Sequence, residues 1–361
     1  MVIEPYRIAV PDREIDDLRR RLAHTRWSVE DVEPLQLRAL IDYWHESFDW
    51  RAQEAMLNGY PHFRAHSHGD FIHFVHVRSS VRGATPILLT HGWPGSFYEF
   101  LKLIPLLEDF DVVIPSLPGF AFSSPVHTNL IPYATAEFWA KLMLALGYEK
   151  FVAQGGGCGA NVATWIALQH PERLIGLHLN SIPLTYEPPV LESQPLTQEE
   201  SRFFEERARW YVEEGSVAHL QATRLKSLAH ALNDSPVGLA AWFLETFRSR
   251  SSPGIEIDSV LTHDELLTNL SIYWYTQTIG SSFSVYATSR QHALKLEPRK
   301  RVRTPTAVAH FPKELLMPPR SWVARGYELK RWTQMPRGGP FAALEQPELF
   351  ASDLRAFLES L

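Results

Sequence analysis

The spacing of apolar positions changes character along the chain. Near the N-terminus, Ile15, Leu18 and Leu22 recur at helical intervals after Asp12, which predicts a helix with Asp12 as its N-cap. A second helical stretch is expected over about 35–59, carrying Tyr43, Trp44, Phe48 and Trp50. Phe71 to Val77 then alternates as a strand. His73 and His76 on that strand are predicted to face opposite sides, as pairing or surface residues rather than metal ligands.

From Thr85 the pattern becomes short apolar runs separated by helical ones. Thr85–His91, Phe110–Pro115, the run entering Gly155 and Leu174–Asn180 read as buried strands. Helices are expected at Phe97–Leu107, at 134–146 and from Cys158 towards His170. Strands alternating with helices imply βαβ units and a mostly parallel sheet. Between 183 and 295 the strands vanish, and helices are predicted at 198–214, 223–232, 236–248, 263–279 and 281–293. Thr306–His310 and a strand near Tyr327–Trp332 resume the sheet before a last helix, Pro347–Leu361. The expected organisation is an arm (1–80), an α/β core (81–182 and 296–361) and an all-helical cap (183–295).

Composition narrows the function classes. The single cysteine excludes an internal disulfide and a cysteine-based zinc site. The net charge of −6 comes without a long run of either sign, so a nucleic-acid partner is not expected. No apolar run approaches the ~18 residues of a membrane span, and the first residues lack the apolar stretch of a secretory signal. The expectation is a cytoplasmic protein without cofactor or metal, whose partner is a small hydrophobic molecule; a homodimer is compatible with the sequence. Eleven Trp, 20 Phe and 12 Tyr fit either a large core or a broad aromatic-lined pocket.

The chemistry centres on Gly155-Gly156-Gly157-Cys158-Gly159, between an apolar strand end and an amphipathic helix. This is the layout of a nucleophile elbow, G-x-Nuc-x-G, in which the nucleophile sits at the tip of a tight turn. The tip here is Gly157, which has no side chain. A frame shifted by one residue puts Cys158 at the tip, where a helix N-terminus can lower a thiol pKa. The simpler reading makes Cys158 the small residue after the elbow. His91, in the turn His91-Gly-Trp93-Pro-Gly-Ser96, and His219 are further ionisable candidates for the pocket.

Ordered motifs along nearly the whole chain carry a resemblance. They include Val10-Pro-Asp-Arg-Glu-Ile, Thr25-Arg-Trp27, Phe48-Asp-Trp-Arg51, His91–Ser96, Pro115-Ser-Leu-Pro-Gly-Phe120 and Gln154-Gly-Gly156. They continue with Ala231–Trp242, Leu267-Thr-Asn269, Gly280-Ser-Ser-Phe283, Phe311-Pro-Lys-Glu314 and Arg337-Gly-Gly339. In these the chain is similar to the epoxide hydrolases of the microsomal and juvenile-hormone type. The resemblance implies an α/β-hydrolase fold with a mostly parallel central sheet, a helical cap and an N-terminal meander. It also implies a two-step reaction. An elbow Asp opens the epoxide to an ester, a His oriented by an acidic residue activates water against that ester, and two cap tyrosines hold the epoxide oxygen.

Carried over by position, the elbow Asp corresponds to Gly157 and the Trp after it to Cys158. The base His corresponds to Pro340, the acid to Glu314, one cap tyrosine to Tyr286 and the other to Val217. Nucleophile, base and one tyrosine are therefore expected to be missing, which removes the covalent hydrolytic route. The retained parts are Tyr286, Glu314 and an oxyanion site at the backbone N–H groups of Trp93 and Cys158, with His91, Gly157, His219, Val217, Phe120 and Pro340 expected to face the substrate. Three readings follow. The first is a non-hydrolytic enzyme that opens or cyclises an epoxide, or forms an intramolecular C–C bond, in a large aromatic natural product of polyketide, anthraquinone or enediyne type. The second is a non-catalytic binder of a hydrophobic metabolite. The third is hydrolysis by Cys158 or by water activated at Glu314.

Overall fold

The computed structural model describes residues 1–27, 35–67, 69–124, 132–189, 195–250, 261–297, 300–314 and 316–361. The chain opens with β1 (Val2–Tyr6), α1 (Asp12–Ala23), α2 (Leu35–Glu46), α3 (Trp50–Leu57), β2 (His62–Ser67) and β3 (Asp70–Val77). β4 (Pro86–Thr90), a 3₁₀ helix (Phe97–Leu107), β5 (Asp111–Pro115), α4 (Pro132–Ala145), β6 (Phe151–Gly155), α5 (Cys158–Gln169) and β7 (Leu174–Leu179) follow. Seven helices come next: α6 (Gln198–Glu213), α7 (Ser216–Thr223), α8 (Leu225–Asp234), α9 (Pro236–Arg250), α10 (His263–Thr276), α11 (Ile279–Ser282) and α12 (Ser284–Gln291). β8 (Val302–His310), α13 (Arg320–Ala324), β9 (Tyr327–Gln334), α14 (Ala342–Glu345) and α15 (Pro347–Leu358) complete the fold.

The nine strands among the described residues form one sheet in the order β1-β2-β3-β5-β4-β6-β7-β8-β9. β4 through β9 pair in parallel, and β1 to β3 add an antiparallel edge through β3 and β5. Every residue of β4 and β6 is buried, because parallel strands covered by helices on both faces are apolar throughout. This is the α/β-hydrolase fold. On the α15 side, buried Asp353 binds His178 of β7 (3.2 Å), Arg331 of β9 (2.7 Å) and Thr333 (2.6 Å), tying three elements together.

Several expectations need correction. Pro11 occupies the N-cap position of α1, and Asp12 is instead the first helical residue, paired with Arg51. The stretch over 35–59 is two helices, broken where the Asp49 carboxylate accepts the Ala52 N–H and starts α3. β1 and β2 carried no clear apolar signal, since β1 is an edge strand with mostly exposed side chains and β2 is largely polar. The 3₁₀ winding of Phe97–Leu107 includes Pro105, which cannot donate an α-helical hydrogen bond.

His73 and His76 are not surface residues; both are buried. The rings form a one-way chain. The Ser116 hydroxyl donates to His73 Nδ1 (2.8 Å), His73 Nε2–H donates to His62 Nδ1 (2.8 Å), and His62 Nε2–H donates to the Leu57 carbonyl (2.8 Å). This pattern uses neutral imidazoles only. Burial lowers all three histidine pKa values, that of His73 well below the usual range and that of His76 to about 4. The neighbouring Arg64 and His91 push His73 further down, Arg78 adds to the lowering at His76, and Asp111 and the Leu57 carbonyl act in the opposite sense on His76 and His62.

A histidine held neutral stabilises the fold above its unfolded pKa, and that stability is lost as pH falls below it. The unfolding free energy is therefore expected to drop from about pH 6.5 downward, by up to about 1.4 kcal/mol per pH unit for each buried histidine. Urea titrations at pH 7.5, 6.0 and 5.0 check this; equal stability at all three contradicts it.

Candidate functional site

The site sits where two backbone turns touch at the carboxyl end of the sheet. Two residues, Gly156 and Gly157, separate β6 from α5. A Cβ on Gly155 would lie 2.3 Å from the Gly159 carbonyl oxygen, and one on Gly159 would lie 1.9 Å from that of Thr90. Those two glycines are steric requirements of the turn. Gly157 differs. Its φ of 51° and ψ of −120° strain any side chain, but the nearest atom to an added Cβ is Gly92 Cα, at 3.5 Å. Gly157 is also exposed, while Phe151 to Gly156 behind it are buried. The tip of the elbow thus opens onto free space and presents no side chain to it. The Gly157 N–H donates to Ser181 Oγ (2.6 Å), and Gln154 Nε2 donates to Asn180 Oδ1 (2.8 Å), bracing the turn from beneath.

The second turn follows β4 and contains a cis Trp93–Pro94 peptide. Gly92 packs on the elbow so closely that a Cβ there would meet Gly156 O at 3.1 Å and Cys158 N at 3.5 Å. The main chains of the Gly92–Trp93 turn and of Cys158 are therefore neighbours. His91 does not face the substrate, contrary to expectation. It is fully buried; its Nδ1–H donates to the Gly92 carbonyl (3.0 Å) and its Nε2 accepts the Leu117 N–H (3.0 Å). Burial lowers its pKa to about 4, against the opposing pull of the Gly92 bond, so His91 is a neutral brace. Phe120 is likewise buried, with its ring against His91 (5.2 Å) and Tyr273 (6.2 Å), and supports the site instead of lining it.

Helices α10 and α11 grip this turn with several hydrogen bonds. On α10, Asn269 Nδ2 donates to Pro94 O (2.8 Å), and its Oδ1 accepts from Ser96 Oγ (2.8 Å). Tyr273, one turn on, donates to Gly95 O (2.7 Å). Trp93 Nε1 donates to Ser282 Oγ of α11 (3.1 Å). Beneath, burial raises the pKa of the Glu99 carboxyl well above the usual range, despite a bond from the Gly92 backbone. A Cβ on Gly95 would overlap that carboxyl at 1.9 Å, so a larger residue there would displace the Glu99 side chain. Asn269 and Ser282 lay in recognised motifs, but their task did not show; the i, i+4 spacing of Asn269 and Tyr273 on one helix face was the available signal.

Tyr286 enters on α12, half-buried, with its ring edge-on to Trp93 at 5.5 Å and 83°. Buried Tyr273 has Cys158 and Tyr286 as electrostatic neighbours. The structure thus gathers Gly157, Cys158, Trp93 and Tyr286. His219 is not among them: it lies exposed on α7. Val217, on the same helix, is buried, and α7 packs against α12. Glu314 and Pro340 lie in the loops after β8 and β9, which meet at the carboxyl ends of those strands. There the Lys313 N–H donates to Gly338 O (3.1 Å), and both residues are half-buried. Phe341, next to Pro340, packs its ring on Phe247 of α9 at 4.4 Å and a tilt of 42°. A carboxylate not expected from the sequence, Glu345, accepts the Phe341 N–H (3.0 Å); burial raises its pKa, against backbone bonds from Phe341 and Gly339 and the charge of Lys313. Among the described residues, no three His, Cys, Asp or Glu side chains gather as a metal site.

Asn269→Leu leaves the Pro94 carbonyl without its side-chain donor and Ser96 Oγ without its acceptor. It should cost about 2–4 kcal/mol in urea unfolding, against about 1–2 kcal/mol for Tyr273→Phe, which removes one bond. Equal, negligible losses would contradict the clamp.

Two family models match the chain: the epoxide hydrolase N terminus over residues 3–100 and the alpha/beta hydrolase fold over residues 85–245. A protein of Stigmatella aurantiaca, whose epoxide hydrolase name is provisional, is 42% identical over 99% of this chain and 85% of its own length. Epoxide hydrolase 1 of Sus scrofa is 37% identical over 99% of this chain and 88% of its own. The crystal structure of juvenile hormone epoxide hydrolase from Bombyx mori superposes with a TM-score of 0.88 at 29% identity, covering 99% of this chain and 94% of that one. Matched at 42% and 37% identity over nearly its full length, the chain belongs to the epoxide hydrolase family.

Proposed function

We propose that this protein is a non-hydrolytic biosynthetic enzyme on the epoxide hydrolase scaffold. It opens or cyclises an epoxide, or forms an intramolecular C–C bond, in a large aromatic natural product of polyketide, anthraquinone or enediyne type. The observation that carries this reading is the elbow tip: Gly157 is exposed and has open space beyond it, yet offers no atom that can attack a carbon. At the Glu314 junction Pro340 accepts no proton and donates none from its backbone. The scaffold is retained without the groups that a covalent ester route requires.

What remains suits a substrate that brings its own nucleophile. An electron-rich carbon or a hydroxyl of the substrate forms the new bond to one epoxide carbon as that carbon's C–O bond breaks. The oxygen becomes an alkoxide and takes up the proton that the nucleophile releases, so the product is an isomer. Tyr286 Oη–H donates a hydrogen bond to the developing alkoxide. The adjoining main chains of Trp93 and Cys158 supply an oxyanion site. Orientation and charge stabilisation of this kind provide the rate. In this reading residues 1–80 brace the core, residues 81–182 and 296–361 carry the elbow and oxyanion turn, and residues 183–295 close over the substrate.

Incubation with epoxide-bearing aromatic polyketides, followed by mass spectrometry, is expected to yield an isomer of unchanged mass. Tyr286→Phe should slow that conversion by about 10²–10³-fold. Tight binding with no conversion would instead make the protein a binder, and an undiminished Tyr286→Phe variant would remove the tyrosine from the reaction.

Gly157→Asp tests the elbow separately. The new carboxylate is expected to attack styrene oxide and remain as a stable ester, detected as one added substrate mass on the intact protein, because Pro340 provides no base to release it. Adding Pro340→His should restore turnover to the diol. Absence of any adduct would show that position 157 does not face the reacting carbon.

A further inference from the structure

A recess lies beside the elbow, between core and cap, and no step described above uses it. Its walls come from four parts of the chain: the loop after β5 (Leu117, Pro118), the start of α4, the first turn of α5 (Cys158, Asn161) and cap helix α12 (Val285, Ser289). It is largely apolar, with Thr135, Ser289 and Asn161 as its polar members. Asn161 is 4% exposed, and its Oδ1 is buried without a hydrogen-bond partner among the described residues. Leaving a buried acceptor unpaired costs about 1–3 kcal/mol, so an amide in that state points to a donor that arrives with something else.

Position strengthens the case. Asn161 lies three residues after Cys158, on the same face of α5, and Cys158 follows the open tip at Gly157. Val285 of the opposite wall precedes Tyr286. A molecule lying over Gly157 with an oxygen at Tyr286 thus has this recess at its flank, and a branch entering it would come against the Asn161 side chain.

We propose that this recess is a substrate subsite that selects a short arm ending in a hydrogen-bond donor, a hydroxyl or an amide N–H, which Asn161 Oδ1 accepts. The subsite is a matter of binding and does not depend on which reaction occurs over Gly157. Its test therefore reads occupancy alone.

Cys158 supplies the readout. It is the only cysteine in the chain, it is partly exposed, and it lines the recess, so alkylation by iodoacetamide followed by intact mass reports on this place without mapping. Two probes are compared, 3-phenylpropan-1-ol and its methyl ether, in which a methyl group replaces the donor hydrogen. The alcohol is expected to protect Cys158 at about fivefold lower concentration than the ether, the ratio that one hydrogen bond of about 1 kcal/mol gives. In Asn161→Leu, which keeps the shape and removes the acceptor, the two probes should become equal. Val285→Phe, which fills the recess from the cap and leaves Asn161 in place, should abolish protection by either probe. Equal protection by both probes in the unaltered protein overturns the proposal. So does an alcohol preference that survives Asn161→Leu, a Cys158 that iodoacetamide does not reach, or no protection up to the solubility of either probe, as a recess filled by water alone would give.

Discussion

The structure depends on one contact between two stretches of main chain. Gly92, in the turn after β4, lies against Gly156, Gly157 and Cys158 with no side chain between them. That approach is tighter than most Cβ contacts, and closer crowding still, at 2.3 and 1.9 Å, makes Gly155 and Gly159 obligatory. Parallel pairing of β4 with β6 delivers the two turns side by side, with Thr90 opposite Gly155 at the end of the ladder. The sheet register therefore determines where the site can be. This is the crevice at the carboxyl ends of the strands where open α/β sheets place their ligands.

A contact made of backbone needs support, and the cap provides it. Asn269, Tyr273 and Ser282 hold Pro94, Gly95 and Trp93 from above, while Glu99 and His91 hold the same turn from below. Burial disfavours the charged form of both ionisable groups, which works against an unpaired charge next to this main chain. The cap is also fastened at its far end, where fully buried Glu200 at the start of α6 accepts two hydrogen bonds from Arg325, at 3.0 and 2.6 Å. Donors braced on both sides are what the proposed catalysis by preorganisation requires, because their orientation would be set before the substrate arrives.

How legible this was in the sequence varied with the physics. The parallel core was readable because strands buried on both faces are apolar at every position, as in Pro86–Thr90 and Phe151–Gly155. The elbow was readable because its glycines are steric necessities. β1 and β2 were not, because edge and partly polar strands lack alternation strong enough to notice. His91, Phe120 and His219 were assigned to the pocket from motif membership, yet direction within an element decides contact: the first two point into the core and the third into solvent. The histidine chain through His62 and His73 joins β2 to β3, and pairing between strands leaves no local mark on either one. Tyr273 and Glu345 were missed for the same reason, since each acts on a segment far away or on a backbone group that sequence does not display.

The central claim is that substrate conversion here takes no oxygen from solvent. A single turnover of an epoxide-bearing aromatic substrate in ¹⁸O-labelled water, with the product weighed by mass spectrometry, tests it directly. A product of unchanged mass and without label is the predicted result. A diol carrying one ¹⁸O atom would contradict it and show that water, activated by some group other than a side chain at residue 157, completes the reaction.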